Sequence, residues 1–142
     1  MLLHRQFAVS VAAWVVVWTG VIAETPPKPQ NEPISSSRIA LDDLRTLLAA
    51  EEVLIVDVRD TLAFKGGHIP GAINVPVDQI EARVAEISNR AHGRHIVTYC
   101  ACPDEHTSAT AAAALSRQGV RHVSALIGGL RAWIATGGRL QT

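Results

Sequence analysis

The chain has 142 residues, of which 48% are hydrophobic, and its formal net charge is +0 at pH 7. A chain of this length builds one domain with its own apolar core. Neutrality argues against a general nucleic-acid binder, and an aromatic content of 4% argues against base or sugar stacking. Cys100 and Cys102 lie two positions apart, so they do not form a disulfide scaffold that ties distant segments together.

The N-terminal segment predicts export from the cytoplasm. Residues Phe7–Ala23 are apolar at nearly every position and follow Arg5. The segment is either a cleaved signal peptide or a retained membrane anchor, because about 17–25 apolar residues span a bilayer. Both alternatives place Arg5 in the cytoplasm and everything after Glu24 on the far side. We therefore expect an extracytoplasmic protein, periplasmic or secreted, that contacts the inner membrane only through residues 7–23.

A linker separates this segment from the folded part of the chain. Residues Glu24–Ser37 contain four of the seven prolines and almost no apolar side chains, which predicts an extended linker. The folded domain is expected over residues 38–138, with a short tail at 139–142.

Strands and helices alternate in the predicted domain. This pattern predicts the α/β class, with one central parallel sheet and helices on both faces. In chain order, the predicted elements are a short strand at Ser37–Ile39, a helix opening at Leu41, a buried strand at Val53–Val58, a loop or short helix at Thr61–Gly67, a strand at Ala72–Val75, a helix at Val77–Asn89, a strand at His95–Cys100, a helix at Ser108–Gln118 capped by Thr107 or Ser108, a strand at His122–Leu126 and a helix at Gly129–Thr136.

Cys100 is the residue best placed for chemistry. Ligands of parallel sheets bind at the carboxyl ends of strands, where both Asp57 and Cys100 are expected. Cys100 also stands just before a helix, so the loop N–H groups and the helix dipole favour its thiolate. Because the thiolate is the nucleophile in cysteine chemistry, we predict that Cys100 is catalytic.

Three motifs in this order resemble those of a rhodanese-type sulfurtransferase domain. They are Val56–Asp60 followed by Gly67–Pro76, then Tyr99-Cys100 at the start of the active-site loop, and Gly128–Trp133. The resemblance implies transfer of a sulfane sulfur from thiosulfate or a persulfide to a thiol-type acceptor, through a persulfide on Cys100. The partners it implies are a small sulfur donor or persulfidated thiol and a protein thiol as acceptor. It implies no cofactor.

Several residues near the expected site have structural interpretations. Asp57 ends a buried strand and needs a partner, which is Arg59 or the loop backbone near the nucleophile. An orienting ion pair is favoured over direct catalysis by this pair. His68 is expected to hold its turn by a hydrogen bond, and Gly128-Gly129 to form a tight turn ahead of Trp133, a core anchor.

The active-site loop departs from the pattern of the resembled family. Its residues are Ala101, Cys102, Pro103, Asp104, Glu105, His106 and Thr107. Pro103 lacks an N–H donor, and the carboxylates of Asp104 and Glu105 raise the pKa of a nearby thiol and weaken thiosulfate binding. The helix dipole and a protonated His106 oppose that effect. A thiol persulfide or a protein partner is therefore a reasonable donor.

Other functions compete with sulfur transfer. The domain is alternatively a non-catalytic rhodanese-like binding module, although the presence of Cys100 favours an enzyme. A thiol redox or metal site would use Cys100 and Cys102, and with His106 these would suit a soft ion, but no fourth ligand is evident, so no metal is assigned. Phosphatase chemistry is disfavoured, because it needs an arginine six positions after the nucleophile, where His106 stands.

Overall fold

A computed structural model describes residues 37–142, which fold around a five-stranded sheet in the order β1-β5-β4-β2-β3 with parallel pairing throughout. The predicted export segment and residues 24–36 of the linker lie outside the described residues. The strands are β1 (Ser37–Ile39), β2 (Val53–Asp57), β3 (Ile73–Asn74), β4 (His95–Tyr99) and β5 (Val123–Leu126). The helices are α1 (Leu41–Ala49), α2 (Thr61–Gly66), α3 (Val84–Ala91), α4 (His106–Arg117) and α5 (Gly129–Ala135). Within residues 37–142, none of these helices has the length and apolarity needed to cross a membrane.

Two apolar clusters cover the two faces of the sheet. Residues of β2 alternate between them, with Val56 in the cluster that contains α3 and α4, and Ile55 in the cluster that contains α1 and α5. The first cluster holds Ile87 and Leu115, and the second holds Leu44. Such alternation buries both faces of a parallel sheet, and it confirms the predicted class of one α/β domain with helices on both faces.

The register of the central strands aligns their carboxyl ends. Asp57 at the end of β2 is paired with Tyr99 at the end of β4. The N–H of Val58 donates to the carbonyl of Tyr99 over 3.1 Å. Strands β2 and β4 therefore end at the same edge of the sheet. Asp57 and Cys100 are neighbours there, as the strand pattern predicts.

The single helix predicted over Val77–Asn89 is wrong. Two short 3₁₀ turns, Val77–Gln79 and Glu81–Arg83, precede the shorter helix α3. The N–H of Val77 donates to the carbonyl of Val58 over 3.1 Å, which ties the start of the segment to the chain leaving β2. The tighter turns then bring Ile80 into the core with no exposed surface. A long-range hydrogen bond and the burial of Ile80 therefore override the helical periodicity.

Candidate active site

Cys100 lies immediately after β4, where the chain turns toward α4. Its side chain is buried, with 1% of the residue exposed. Its carbonyl oxygen accepts a hydrogen bond of 2.9 Å from the N–H of Leu130 at the start of α5. Contacts on both sides therefore fix the backbone that carries the sulfur. The predicted position of Cys100 between a strand and a helix agrees with this structure.

The loop after Cys100 folds back over its sulfur. The N–H of Cys102 donates to the Sγ of Cys100 over 3.4 Å. Ser108, in the first turns of α4, lies near the same sulfur, and its hydroxyl donates to the carbonyl of Glu105 over 3.0 Å. Pro103 follows Cys102 and has no N–H to add. The sulfur thus sits in a small cradle of donors, which suits a thiolate or a persulfide anion.

Cys102 is the more accessible of the two thiols. Both cysteines are free, and Cys102 is half-buried where Cys100 is buried. The Sγ of Cys102 lies 3.1 Å from the Oγ1 of Thr107 and also shares a hydrogen bond with the Cys100 side chain. The site therefore contains a pair of interacting thiols, one inside the loop and one at its surface.

The pKa values of the two thiols shift in opposite directions, and for Cys100 the shift is opposite to the effect expected of the helix dipole. Burial and the hydrogen bond with the Cys102 side chain raise the pKa of Cys100, and they outweigh the donors of Cys102 and Ser108. Burial also raises the pKa of Cys102, but the hydrogen bonds from Cys100 and Thr107 exceed that effect and lower it. Cys102 is therefore the more acidic thiol of the pair.

The acidic composition of the loop suggested that the Glu105 carboxylate lies near the sulfur. In the structure this carboxylate has other partners. Its side chain is buried, and Oε1 accepts a hydrogen bond of 2.6 Å from the N–H of Gly128. Its Oε2 forms an ion pair with Arg38 of β1. The carboxylate thus fastens the loop to two other elements, and Asp104 remains as an exposed acidic side chain near the site.

The start of α4 differs from the prediction for the same reason. The helix begins at His106, and its N-cap is Glu105 with a φ of 53°, rather than Thr107 or Ser108. The N–H of Ala109 donates to the carbonyl of Glu105 over 2.9 Å. Because the buried carboxylate holds Glu105 in place, the helix starts there, and Thr107 is free to contact Cys102.

Gly128 and Gly129 form the predicted tight turn ahead of Trp133, and this turn also lies against the active-site loop. Both glycines have positive φ, 72° and 50°. A Cβ on Gly129 would overlap the carbonyl of Cys100, so this close approach requires glycine. Trp133 then packs against the apolar cluster of α1 and α5, and its Nε1 donates to the carbonyl of Arg139 over 2.8 Å. Trp133 is half-buried, so it anchors the turn at the margin of this cluster rather than inside the core.

Asp57 and Arg59 form the expected ion pair beside the site. Nη2 of Arg59 donates to Oδ2 of Asp57 over 2.6 Å, and Nε lies 3.0 Å from Oδ1. The hydrogen bond from Arg59 to this carboxylate is the main cause that raises the pKa of the guanidinium. Nη2 also donates to the carbonyl of Gly67 over 2.7 Å, so the pair ties β2 to the loop after α2. Asp57 and Arg59 therefore position the edge of the sheet.

His68 holds its turn by hydrogen bonds, as predicted. Its Nδ1 donates to the carbonyl of Phe64 over 3.0 Å, because a carbonyl oxygen can only accept. The imidazole stacks on the Phe64 ring with centroids 3.7 Å apart. Its backbone pairs with Gln141 in both directions over 2.9 Å. These contacts give His68 a structural role at the edge of the domain.

The other predicted loop residues lie at the surface. Ala101, Pro103, Asp104 and His106 are exposed. Among residues 37–142, no group of three His, Cys, Asp or Glu side chains is arranged to hold a metal ion. The alternative in which Cys100, Cys102 and His106 share a soft ion has no support in this geometry.

Sequence reasoning missed two contributors to the site. Ser108 faces the sulfur from α4, and Arg38 neutralises Glu105 from β1. Ser108 has a weak signal in the sequence, since a polar residue early in a helix after a strand-end cysteine can aim its N–H at the sulfur. Arg38 has none, because its contact depends on how β1 and the loop meet in space.

Comparison with known proteins now identifies the family. The model of the Rhodanese-like domain family matches residues 40–136. The chain belongs to the rhodanese-like domain family. A sulfurtransferase of Allochromatium vinosum is 36% identical over 91 residues, which cover 64% of this chain and 80% of that protein. The thiosulfate sulfurtransferase GlpE of Shewanella oneidensis is 32% identical over 101 residues, which cover 70% of this chain and 93% of that protein.

Solved structures give the same fold for this rhodanese-like domain. The crystal structure of a Bacillus halodurans protein superposes with a TM-score of 0.66 at 32% identity, and covers 75% of this chain and 77% of that one. Three further curated relatives are matched over only part of their length, and the chain spans 37%, 51% and 63% of them. The relatives therefore establish the family and associate it with sulfur transfer, and they leave the donor and acceptor of this chain undetermined.

Proposed function

We propose that this rhodanese-like domain is a sulfurtransferase that carries a sulfane sulfur as a persulfide on Cys100. The observation that carries the proposal is the placement of the Cys100 sulfur at the carboxyl edge of the sheet, within a loop whose N–H groups face it. Relatives with 32% and 36% identity that are named sulfurtransferases support it. An N–H cradle stabilises the negative charge of a persulfide as it forms and as it is consumed.

The chemistry follows from the thiol pair. Cys102 is the more acidic thiol, and in its thiolate form it takes the proton of the Cys100 thiol as the donor approaches. The Cys100 thiolate then attacks the outer sulfur of the donor and forms a new S–S bond. The donor's own S–S bond breaks, and sulfite leaves from thiosulfate or a thiolate leaves from a persulfide. An acceptor thiolate later attacks the outer sulfur and restores Cys100.

The charges around the loop favour a persulfide donor over thiosulfate. Residues 100–108 contain no lysine or arginine, and Asp104 is exposed beside the loop. The Arg59 guanidinium is already bound to Asp57. A dianion such as thiosulfate therefore gains less here than a thiol persulfide, which carries one charge and is bound by N–H donors.

Intact mass of the reduced domain tests the proposal. The protein from residue 24 onward is incubated with thiosulfate or, separately, with glutathione persulfide, and then with cyanide. A gain of one sulfur atom that cyanide removes, absent in Cys100→Ser, would support the persulfide. If Cys100→Ser still acquires cyanide-labile sulfur, Cys100 is not the carrier. If neither donor loads the wild-type protein or Cys102→Ser, a non-catalytic binding module becomes the better interpretation.

We also propose that the chain is exported. Support comes from the apolar composition of residues 7–23 and the preceding Arg5, since a signal peptide and an anchor share this pattern. Fractionation of cells that express the full chain tests it, and N-terminal sequencing of the recovered protein separates cleavage from anchoring. Full-length protein in the cytoplasmic fraction would contradict export.

A further inference from the structure

We infer that Cys102 resolves the persulfide of Cys100, so that the domain releases hydrogen sulfide and forms a Cys100–Cys102 disulfide when no acceptor thiol arrives. This inference rests on the proposed function, because it needs the Cys100 persulfide as its starting point. It adds Cys102 as a second catalytic residue and hydrogen sulfide as a second product. It also requires a third reactant, a dithiol reductant that returns the two cysteines to thiols.

The first support is proximity. The N–H of Cys102 donates to the Cys100 sulfur over 3.4 Å. One residue separates the two cysteines in the chain, and this hydrogen bond holds the backbone of Cys102 against the Cys100 sulfur. An attacking group held this close has a large kinetic advantage over a thiol in solution.

The second support is the state of the Cys102 thiol. Its Sγ lies 3.1 Å from the hydroxyl of Thr107, and that hydroxyl helps to lower the pKa of Cys102. It is also half-buried, whereas Cys100 is buried. A thiolate held at the loop surface is the competent nucleophile for thiol–disulfide chemistry.

The step balances in atoms and electrons. The proton that Cys102 holds after loading passes to the outer sulfur, the Cys102 thiolate attacks the Sγ of Cys100, a new S–S bond forms between the two cysteines, and the bond from Cys100 to the outer sulfur breaks. The outer sulfur leaves with the electron pair as HS⁻. The sulfane sulfur is reduced to sulfide, while the two cysteine sulfurs are oxidised to a disulfide. A dithiol reductant then returns both cysteines to thiols by exchange.

The decisive experiment compares the reduced wild-type domain with Cys102→Ser under anaerobic conditions and without an acceptor. Each is mixed with thiosulfate and, separately, with glutathione persulfide, and sulfide, free thiols and intact mass are followed. The wild type should release one sulfide per chain in a single burst and lose two hydrogens. Cys102→Ser should load more slowly, because it lacks the thiolate that takes the Cys100 proton, and it should then retain one added sulfur atom and release about tenfold less sulfide. Dithiothreitol should restart the wild type, and a sample without donor controls for oxidation.

Each outcome decides between the two proposals. Retained sulfur and absent sulfide in the wild type would overturn the resolving role and leave the persulfide proposal intact. Failure of both proteins to acquire sulfur from either donor would remove the persulfide proposal, and the resolving step with it. A burst rate that grows with protein concentration would show attack between molecules, which also overturns the inference.

A matched pair of threonine variants tests whether Cys102 attacks the persulfide as a thiolate. Thr107→Val removes the hydroxyl beside Cys102, so sulfide release should slow severalfold at neutral pH and recover at higher pH. Thr110→Val removes an exposed hydroxyl that donates to the carbonyl of His106 over 2.9 Å, and it should leave the burst unchanged. Equal burst rates in all three proteins across the pH range would contradict the role of Thr107.

Discussion

The buried carboxylate of Glu105 accepts a hydrogen bond of 2.6 Å from the backbone N–H of Gly128 and pairs with Arg38. This relationship joins the loop that covers the Cys100 sulfur to the turn beneath it. Charged acceptors at buried N–H groups contribute more than neutral ones. The shape of the candidate site therefore depends on a side chain that never faces the sulfur.

Glu105→Ala should lower the free energy of unfolding by about 2–3 kcal/mol, because the Gly128 N–H loses a charged partner in a buried position. Glu105→Gln keeps an acceptor for that N–H and should cost about half as much. Urea denaturation measures both, with the exposed Asp104→Asn as control, expected within about 0.5 kcal/mol of wild type. Equal stability of Glu105→Ala and Asp104→Asn would show that the contact stabilises nothing.

Gly129→Ala should be more damaging than an alanine at another glycine with positive φ. A Cβ at Gly129 meets the carbonyl of Cys100, whereas nothing lies within 4 Å of a Cβ at Gly137. We expect a loss of about 2–4 kcal/mol and impaired sulfur loading for Gly129→Ala. Gly137→Ala should cost about 1–2 kcal/mol from its φ of 80° alone, with loading retained. Indistinguishable unfolding curves for the two variants would contradict the close approach.

Much of the fold could be predicted from local patterns, and the failures have specific causes. The short apolar runs that form β2 and β4 predict buried strands, and Gly119 correctly marks the end of α4. The segment after Pro76 has a helical period, but its N–H bond to Val58 and the burial of Ile80 break it into turns. The spacing of apolar residues along the chain carries no information about such tertiary contacts.

The candidate site was predictable in position and less so in its electrostatics. Cys100 could be located because a strand end before a helix start is a local signal. The pKa of its thiol depends on burial and on the Cys102 side chain, and the local sequence does not determine how deeply a side chain is buried. The direction of the Glu105 carboxylate likewise depends on Arg38, which lies far away in the chain.

The Asp57–Arg59 pair should be sensitive to the loss of one partner. Asp57 has no exposed surface, so Arg59→Leu leaves a buried carboxylate uncompensated and should cost about 3–5 kcal/mol. The double variant Asp57→Asn with Arg59→Leu should cost less than the sum of the single variants. Arg90→Leu breaks an exposed pair with Glu86 and serves as control, with an expected change of about 0–1 kcal/mol. Additive losses in a denaturation cycle would argue against coupling.

The alkylation rate of Cys100 should continue to rise at pH values at which the rate of an ordinary cysteine has already levelled off. Burial and the Cys102 side chain raise the pKa of Cys100, so its thiolate fraction grows only above the usual thiol value of about 8.5. Cys102→Ala keeps the N–H that donates to Cys100 and removes one cause that raises its pKa. The midpoint of Cys100 alkylation by iodoacetamide, located by peptide mapping, should therefore move to lower pH in this variant.

The same titration contains its own control. Cys102 in the wild type should react faster than Cys100 at neutral pH, because its pKa is lowered and it is more accessible. Thr110→Val should leave both profiles in place, since that hydroxyl bonds to the helix backbone. A Cys100 midpoint that stays fixed or rises in Cys102→Ala would mean that the Cys102 side chain does not raise the pKa of Cys100. The proton would then leave Cys100 by a route other than its neighbouring thiolate.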